Sequence, residues 1–268
     1  MSEETTKVLI QEFTRPAFEE YLENESNPVA ILPLGSIEQH GPHLPLGTDS
    51  FVALELAKKA AEKTNSIVVQ PCWPGYSPHH MGFKGTITFR WETLMNIILD
   101  TVESLTEHGI KKVILLNAHG GNAQIAALGA RLAKRRFGTM VLMPSSSSGS
   151  DPGKLLQTVD VHAGKGETAT AQQLFGELVE MERVEGFEPT AEFPPQVEKL
   201  RDPDADDAHL RAQLVMAYIG DTHEFTSSGI YGFSDPNDAD IEAAEESLEE
   251  RIDQLVKLIE YWKQIDLP

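Results

Sequence analysis

The chain of 268 residues has a single cysteine, Cys72. That excludes an internal disulfide and a thiolate metal cluster, and Cys72 reads as a small buried hydrophobe. No apolar run approaches the roughly 18 residues of a membrane-spanning helix. The first segment, MSEETTKVLIQEF, is acidic and has no signal-peptide core. A soluble, cytoplasmic protein is expected. Basic residues are scarce: 22 Lys and Arg stand against 42 Asp and Glu, a formal charge of −20. A phosphate backbone needs a basic stripe, so the charge argues against a nucleic-acid partner. It argues equally against an anionic membrane surface. Aromatic residues make up only 7 %, but 40 % hydrophobic residues is a folding composition. A chain of this length can bury a large core, and without a convincing linker it is read as one domain, 1–268.

Four short apolar runs read as buried strands: Val29–Leu34, residues 67–70, Lys112–Asn117 and residues 139–143. Continuous rather than alternating apolarity suits a parallel sheet covered on both faces. Helical periodicity fills the intervals at 49–64, 92–108 and 122–137, then again at 167–181 and 240–263. This alternation predicts an α/β fold, a three-layer α/β/α sandwich with a mainly parallel central sheet. Residues 145–149 read as a flexible loop. The acidic, proline-rich stretch 182–207 reads as a surface excursion or an oligomer contact.

Ligands of open α/β sheets bind where strands end, and three polar clusters sit at such ends. The first, Gly35-Ser-Ile-Glu38-Gln-His40-Gly-Pro-His43-Leu-Pro-Leu-Gly-Thr-Asp49, follows the first strand. The second is Asn117-Ala-His119-Gly120-Gly121-Asn122. The third is Asp160-Val-His162-Ala-Gly-Lys-Gly-Glu167-Thr168. Together they bring Glu38, Asp49 and Glu167, with His40, His119 and His162, to one sheet edge. Carboxylates and imidazoles are the ligands that suit Zn²⁺, Mn²⁺ or Fe²⁺. Glu38 and His40, two apart on an extended segment, point the same way. Asp49 has two oxygens with which to bridge a pair of ions. Taken singly, Asp49 reads as a helix N-cap. His43, His79 and His80 could support ligands, face substrate or be plain loop residues. The backbone amides of Gly120, Gly121 and Asn122, opening a helix, are assigned to an anionic oxygen of the substrate, and His80 is placed with them.

These motifs resemble the signature segments of the creatininase (creatinine amidohydrolase) family. Gly82-Phe-Lys-Gly-Thr-Ile-Thr88 and Ser228-Gly-Ile-Tyr-Gly232 fall where that family has corresponding segments, and the resemblance runs in order over about residues 25–240. It implies an α/β/α fold, two divalent ions per subunit, hydrolysis of a non-peptide C–N amide bond, and a homo-oligomer, often a hexamer. Position by position, Glu38 and His119 would hold one metal, His40 the other, and Asp49 would bridge. His162 matches the catalytic histidine that shuttles a proton to the leaving nitrogen. True creatininases carry a Glu two residues after the histidine matching His119. Here that position is Gly121, as in the His-Gly-Gly-Asn branch of the family, and Glu167 is the replacement carboxylate expected. Tryptophans that wall creatinine are also missing: Thr158 stands at one such position, and the region 138–148 has none. The expected substrate is therefore a linear amide or formamide of a small metabolite, with creatinine as the alternative. A rival of another class is a non-catalytic metal- or nucleotide-binding protein. It rests on Gly164-Lys-Gly166-Glu-Thr-Ala169, a short dinucleotide fingerprint with Glu188 roughly 20 residues on.

Overall fold

The computed structural model describes residues 7–70, 72–144, 160–187, 220–232 and 234–265. Four strands form one sheet: β1 (Val29–Leu34), β2 (Ile67–Val68), β3 (Lys112–Asn117) and β4 (Met140–Leu142). Their order is β2-β1-β3-β4 and every pairing is parallel. The continuous apolar runs of β1 and β3 explain their central places, since both faces of each are covered. Along β1, Ala30, Leu32 and Leu34 face one side. They pack there with α1 (Arg15–Asn24), α3 (Trp91–Glu107) and α4 (Ala123–Phe137). Val29 and Ile31 face the other side, against α2 (Thr48–Thr64) and α6 (Ile241–Lys263). The result is the three-layer α/β/α sandwich expected, with a fully parallel four-stranded sheet.

Two strands are shorter than the apolar runs suggested, because only Ile67–Val68 and Met140–Leu142 find ladder partners. The predicted helix at 167–181 is α5 (Lys165–Phe175), which gives way to 3₁₀ turns at Gly176–Leu178 and Met181–Val184. A separate pair, β5 (Asp160–His162) and β6 (Tyr231–Gly232), is antiparallel. The Gly164–Ala169 fingerprint therefore follows a strand of this antiparallel pair rather than a parallel βαβ unit, which removes the structural context the dinucleotide reading requires. Glu188, Thr158, residues 145–149 and most of 182–207 lie outside the described residues.

The chain passes from β1 to β2 on one side, then returns across β1 to β3 on the other. This places a topological switch point between β1 and β3, where open α/β sheets form their ligand crevice. One polar residue holds the opposite end together. Lys112, 2 % exposed, donates from Nζ to the carbonyls of Trp262 (2.8 Å) and Ile265 (2.6 Å). It thereby ties the C-terminal end of α6 to the start of β3.

Candidate metal centre

The loop after β1 carries Glu38 and His40, the end of β3 leads to His119, and β5 ends on His162. All four are buried, at 1 %, 0 %, 5 % and 7 % exposure. Asp49 arrives from the first turn of α2. That helix begins at Thr48 after Gly47, with no side-chain cap, so Asp49 is not the N-cap that its position suggested. Its carboxylate instead turns inward. Oδ1 lies 3.3 Å from His40 Nε2, and Oδ2 lies 3.0 Å from His119 Nδ1. Glu38 Oε2 lies 3.3 Å from the same His119 nitrogen. Glu167, in the first turn of α5, places Oε2 3.8 Å from His40 Nε2. That oxygen also accepts from the backbone N–H of Ala163 (2.6 Å). Ala163 is held at φ +54, a left-handed conformation that costs a non-glycine residue energy and is characteristic of functional sites.

Each ligand-type ring is oriented by a carbonyl. His40 Nδ1–H donates to the Glu38 carbonyl (3.2 Å). His119 Nε2–H donates to the Tyr76 carbonyl (3.0 Å), and His162 Nε2–H to the Gln39 carbonyl (2.6 Å). A carbonyl only accepts. The outer nitrogen of each ring therefore bears a proton, and the inner nitrogen is the one that faces the carboxylates. Inner nitrogens and carboxylate oxygens 3.0–3.3 Å apart can share protons, or can serve together as ligands of a metal cation. His40 Nε2 and Asp49 Oδ2 are buried and have no hydrogen-bond partner among the described residues. Buried polar atoms are seldom left so, and these two are both of metal-ligating type. Ligand-type atoms of Glu38, His40 and Asp49 lie within 4.8 Å of one another, as do those of His40, His162 and Glu167. The donor set fits hard or borderline divalent cations.

The electrostatics point the same way. Burial alone would push His40 and His119 down, but Asp49, with Glu38 and for His40 also Glu167, holds each imidazole up at about 10. The carboxylates respond in kind. Burial would raise Glu38, yet His119, His80 and His40 keep it well below the ordinary carboxylate range. Asp49 is lowered against its burial by His40 and His119. Without a bound cation the cluster thus collects protons. His162 differs: burial, with His40 and His80 beside it, depresses it far below an ordinary histidine, so its Nδ1 stays unprotonated.

A cavity of about 470 Å³ opens over these groups. Besides the expected Gly120 and Gly121, it is lined by His79, Thr222, Phe225 and Tyr231. The sequence leaves His79 open between ligand support, substrate contact and plain loop. It does not single out Thr222, Phe225 or Tyr231 as site residues, although Tyr231 lies inside Ser228-Gly-Ile-Tyr-Gly232. Phe225 and Tyr231 stand with ring centroids 5.2 Å apart, and burial raises the Tyr231 phenol to about 12. Asn122 does not join the substrate surface. It is fully buried, its N–H donates to the His119 carbonyl, and its amide ties Tyr76 N–H to the Gly35 carbonyl. Its part is to fix the loops that carry the site. His43 is likewise remote from the cavity, bonded through Nε2 to Thr168 Oγ1 (2.8 Å).

The sequence matches the creatininase family, described as creatinine amidohydrolase, across residues 11–259. The chain belongs to this family. This creatininase-family chain is 29 % identical over 206 residues to the 3-dehydro-scyllo-inosose hydrolase of Thermotoga maritima, covering 72 % of this chain and 64 % of that protein. It is 32 % identical over 151 residues to the mycofactocin precursor peptide peptidase of Mycolicibacterium smegmatis, covering 53 % and 56 %. With the creatinine amidohydrolase of Pseudomonas putida it shares 28 % over 187 residues, covering 62 % and 72 %. The chain thus spans just under two thirds of the first of these relatives and about half of the second. A crystal structure of creatinine amidohydrolase superposes with a TM-score of 0.76 at 24 % identity, over 97 % of this chain and 100 % of that one. The fold is shared.

Proposed function

We propose that this protein is a metal-dependent hydrolase that cleaves a non-peptide C–N amide bond in a linear amide or formamide of a small metabolite. One observation carries the reading: the two oxygens of Asp49 face the inner nitrogens of two different imidazoles, at 3.3 Å and 3.0 Å. This supports the reading that two cations would share this carboxylate. Glu38 and His119 would complete one position, and His40 and Glu167 the other. Solved creatininases include a form described as manganese and one described as zinc–zinc, which supports Mn²⁺ or Zn²⁺ over other divalent ions here. Bound cations would supply Lewis acidity and lower the pKa of a water at the site.

The chain's own residues do the rest. His162 Nδ1, unprotonated and 3.8 Å from Glu38 Oε1, takes the proton released as water attacks the amide carbon. It then delivers that proton to the departing nitrogen as the C–N bond breaks. Gly120, whose missing side chain would meet nothing, leaves room for substrate beside the carboxylates, and the cavity volume suits a small metabolite. Phe225 and Tyr231 wall one side, and this aromatic pair favours a flat cyclic amide such as creatinine as the second reading. A homo-oligomer is also proposed, as in the hexamers implied by the family resemblance. Leu46, Trp73, Met81, Ile87 and Trp91 leave large apolar side chains 40–57 % exposed, which supports self-association.

The deciding experiment is elemental analysis of the purified protein, followed by assay of formamides, linear amides and creatinine with Mn²⁺, Zn²⁺ or Fe²⁺. Two equivalents of metal and turnover of a formamide or linear amide are expected. Absence of bound or bindable metal overturns the reading, and turnover of creatinine alone selects the second.

A further inference from the structure

A fourth imidazole, His80, faces the same centre in the opposite sense. Its Nε2 lies 3.3 Å from Glu38 Oε1, and by distance alone it groups with Glu38 and His162 as a third ligand set. Its outer nitrogen, Nδ1, does not meet a carbonyl. It lies 2.9 Å from Gln39 Nε2. The orientation of the Gln39 amide is decided by two backbone groups. Oε1 accepts from the Gly41 N–H (3.0 Å), and Nε2 donates to the Gly229 carbonyl (3.1 Å). Turning the amide over would set oxygen against carbonyl and NH₂ against N–H. An amide NH₂ only donates, so His80 Nδ1 must accept. The one proton of the neutral ring is then on Nε2, the nitrogen that points at Glu38.

We propose that Gln39 is a positioning residue that fixes the tautomer of His80, making it a hydrogen-bond donor to Glu38 and barring it from the metal shell. This rests on the metal-centre reading of the cluster. The consequence concerns Glu38. Ser36 Oγ donates to Oε2 at 2.6 Å, and His80 Nε2 faces Oε1 at 3.3 Å, so the carboxylate is flanked on both sides. A histidine kept out of the shell also leaves a coordination position open, as catalytic sites require. Outer groups of this kind commonly set metal affinity. The arrangement accounts as well for Gly229, which is far from Gln39 in sequence. Gly229 has φ +83, and a Cβ there would overlap Gln39 Oε1, so only glycine lets the amide reach both His80 and the Gly229 carbonyl.

The test uses the full chain labelled with ¹⁵N-histidine. Long-range ¹H–¹⁵N correlation spectra are recorded without metal and with zinc, and His80 is assigned by its loss in His80→Gln. The expected pattern for His80 is Nε2–H with Nδ1 unprotonated, in both states. In Gln39→Glu, whose carboxylate can only accept, the pattern should invert. Zinc titration against a competing chelator gives the second readout. His80→Ala should weaken binding about 10–100-fold, and His80→Gln, whose amide NH₂ can reach Glu38, should recover most of that loss. An Nδ1–H pattern in the unsubstituted protein overturns the proposal, as does a zinc-bound His80 resonance or unchanged zinc affinity in His80→Ala. If the unsubstituted protein binds no zinc, the metal-centre reading fails, and the metal-free spectrum still decides the tautomer. That spectrum does not depend on whether Gln39→Glu folds.

Discussion

Glu167 Oε2 lies 3.8 Å from His40 Nε2, and no other carboxylate is offered from the Gly121 position. A Cβ at Gly121 would run into the Tyr76 carbonyl oxygen and crowd His119 Nε2. The loop after β3 is folded too close to the Tyr76 segment to carry a glutamate there, so on the proposed reading the carboxylate would come from α5 instead. Glu167→Ala is therefore expected to lose one of two bound metals and most activity. Elemental analysis of the variant checks this, and full two-metal occupancy would sink the assignment.

His162 is held by the Gln39 carbonyl with its Nδ1 toward the cavity. His162→Ala should keep its metal and lose about 10²–10⁴-fold in kcat, the usual worth of a positioned proton shuttle. Metal content and turnover measured on one preparation separate the outcomes. Metal loss with unchanged turnover after reconstitution would contradict the role.

Stripping metal should also lower stability. Buried atoms such as His40 Nε2 and Asp49 Oδ2, which make no hydrogen bond among the described residues, would gain a cation as partner when metal binds. A ligand at about 1,000 times its Kd stabilises the folded state by roughly 4 kcal/mol. Thermal melts with EDTA and after adding Zn²⁺ or Mn²⁺ should differ by several degrees. Identical melts would show that the cluster binds neither ion.

A pH effect is expected far from the site. Lys263 Nζ, near the end of α6, donates to Glu25 Oε2 at 2.7 Å and to the Thr64 carbonyl at 2.6 Å. Burial alone would raise the Glu25 carboxyl, but the Lys263 hydrogen bond and charge, with the Asn27 N–H, hold it below its ordinary value. A depressed carboxyl adds stability above its unfolded pKa of about 4.3 and loses it as pH falls through the folded value. Glu25→Gln should therefore cost about 1–3 kcal/mol at pH 7, and the difference from the unsubstituted protein should shrink on acidification below about pH 4. Urea unfolding at both pH values measures it. A difference that does not change with pH would remove the ion pair from the account.

Much of the architecture was legible because its signals are local. Val29–Leu34 and Lys112–Asn117 are continuous apolar runs, and both emerged as central strands with those bounds. The shorter strands and α5 were overestimated, since apolar or helical periodicity does not say where ladder partners or helix turns run out. The candidate ligands were legible for a similar reason. Glu38, His40, Asp49, His119, His162 and Glu167 each follow a strand or open a helix. The parallel sheet gathers the first four at one edge, and His162 and Glu167 arrive there from the separate antiparallel strand β5 and the start of α5.

What the sequence determined by itself, then, is which chemical groups reach that edge. Only the tertiary structure decided what each group presents there. Asp49 became a two-sided acceptor rather than a cap, and Asn122 a brace rather than a substrate contact. His80 is assigned its proton on the nitrogen toward Glu38, where His40, His119 and His162 each carry a proton on the outer nitrogen, toward a carbonyl. Phe225 and Tyr231 came from far along the chain to wall the cavity. The physical reason is that a ring's inward nitrogen is set by the partner of its outward one. Those partners, the carbonyls of Glu38, Tyr76 and Gln39 and the Gln39 amide, are placed by packing between segments distant in sequence.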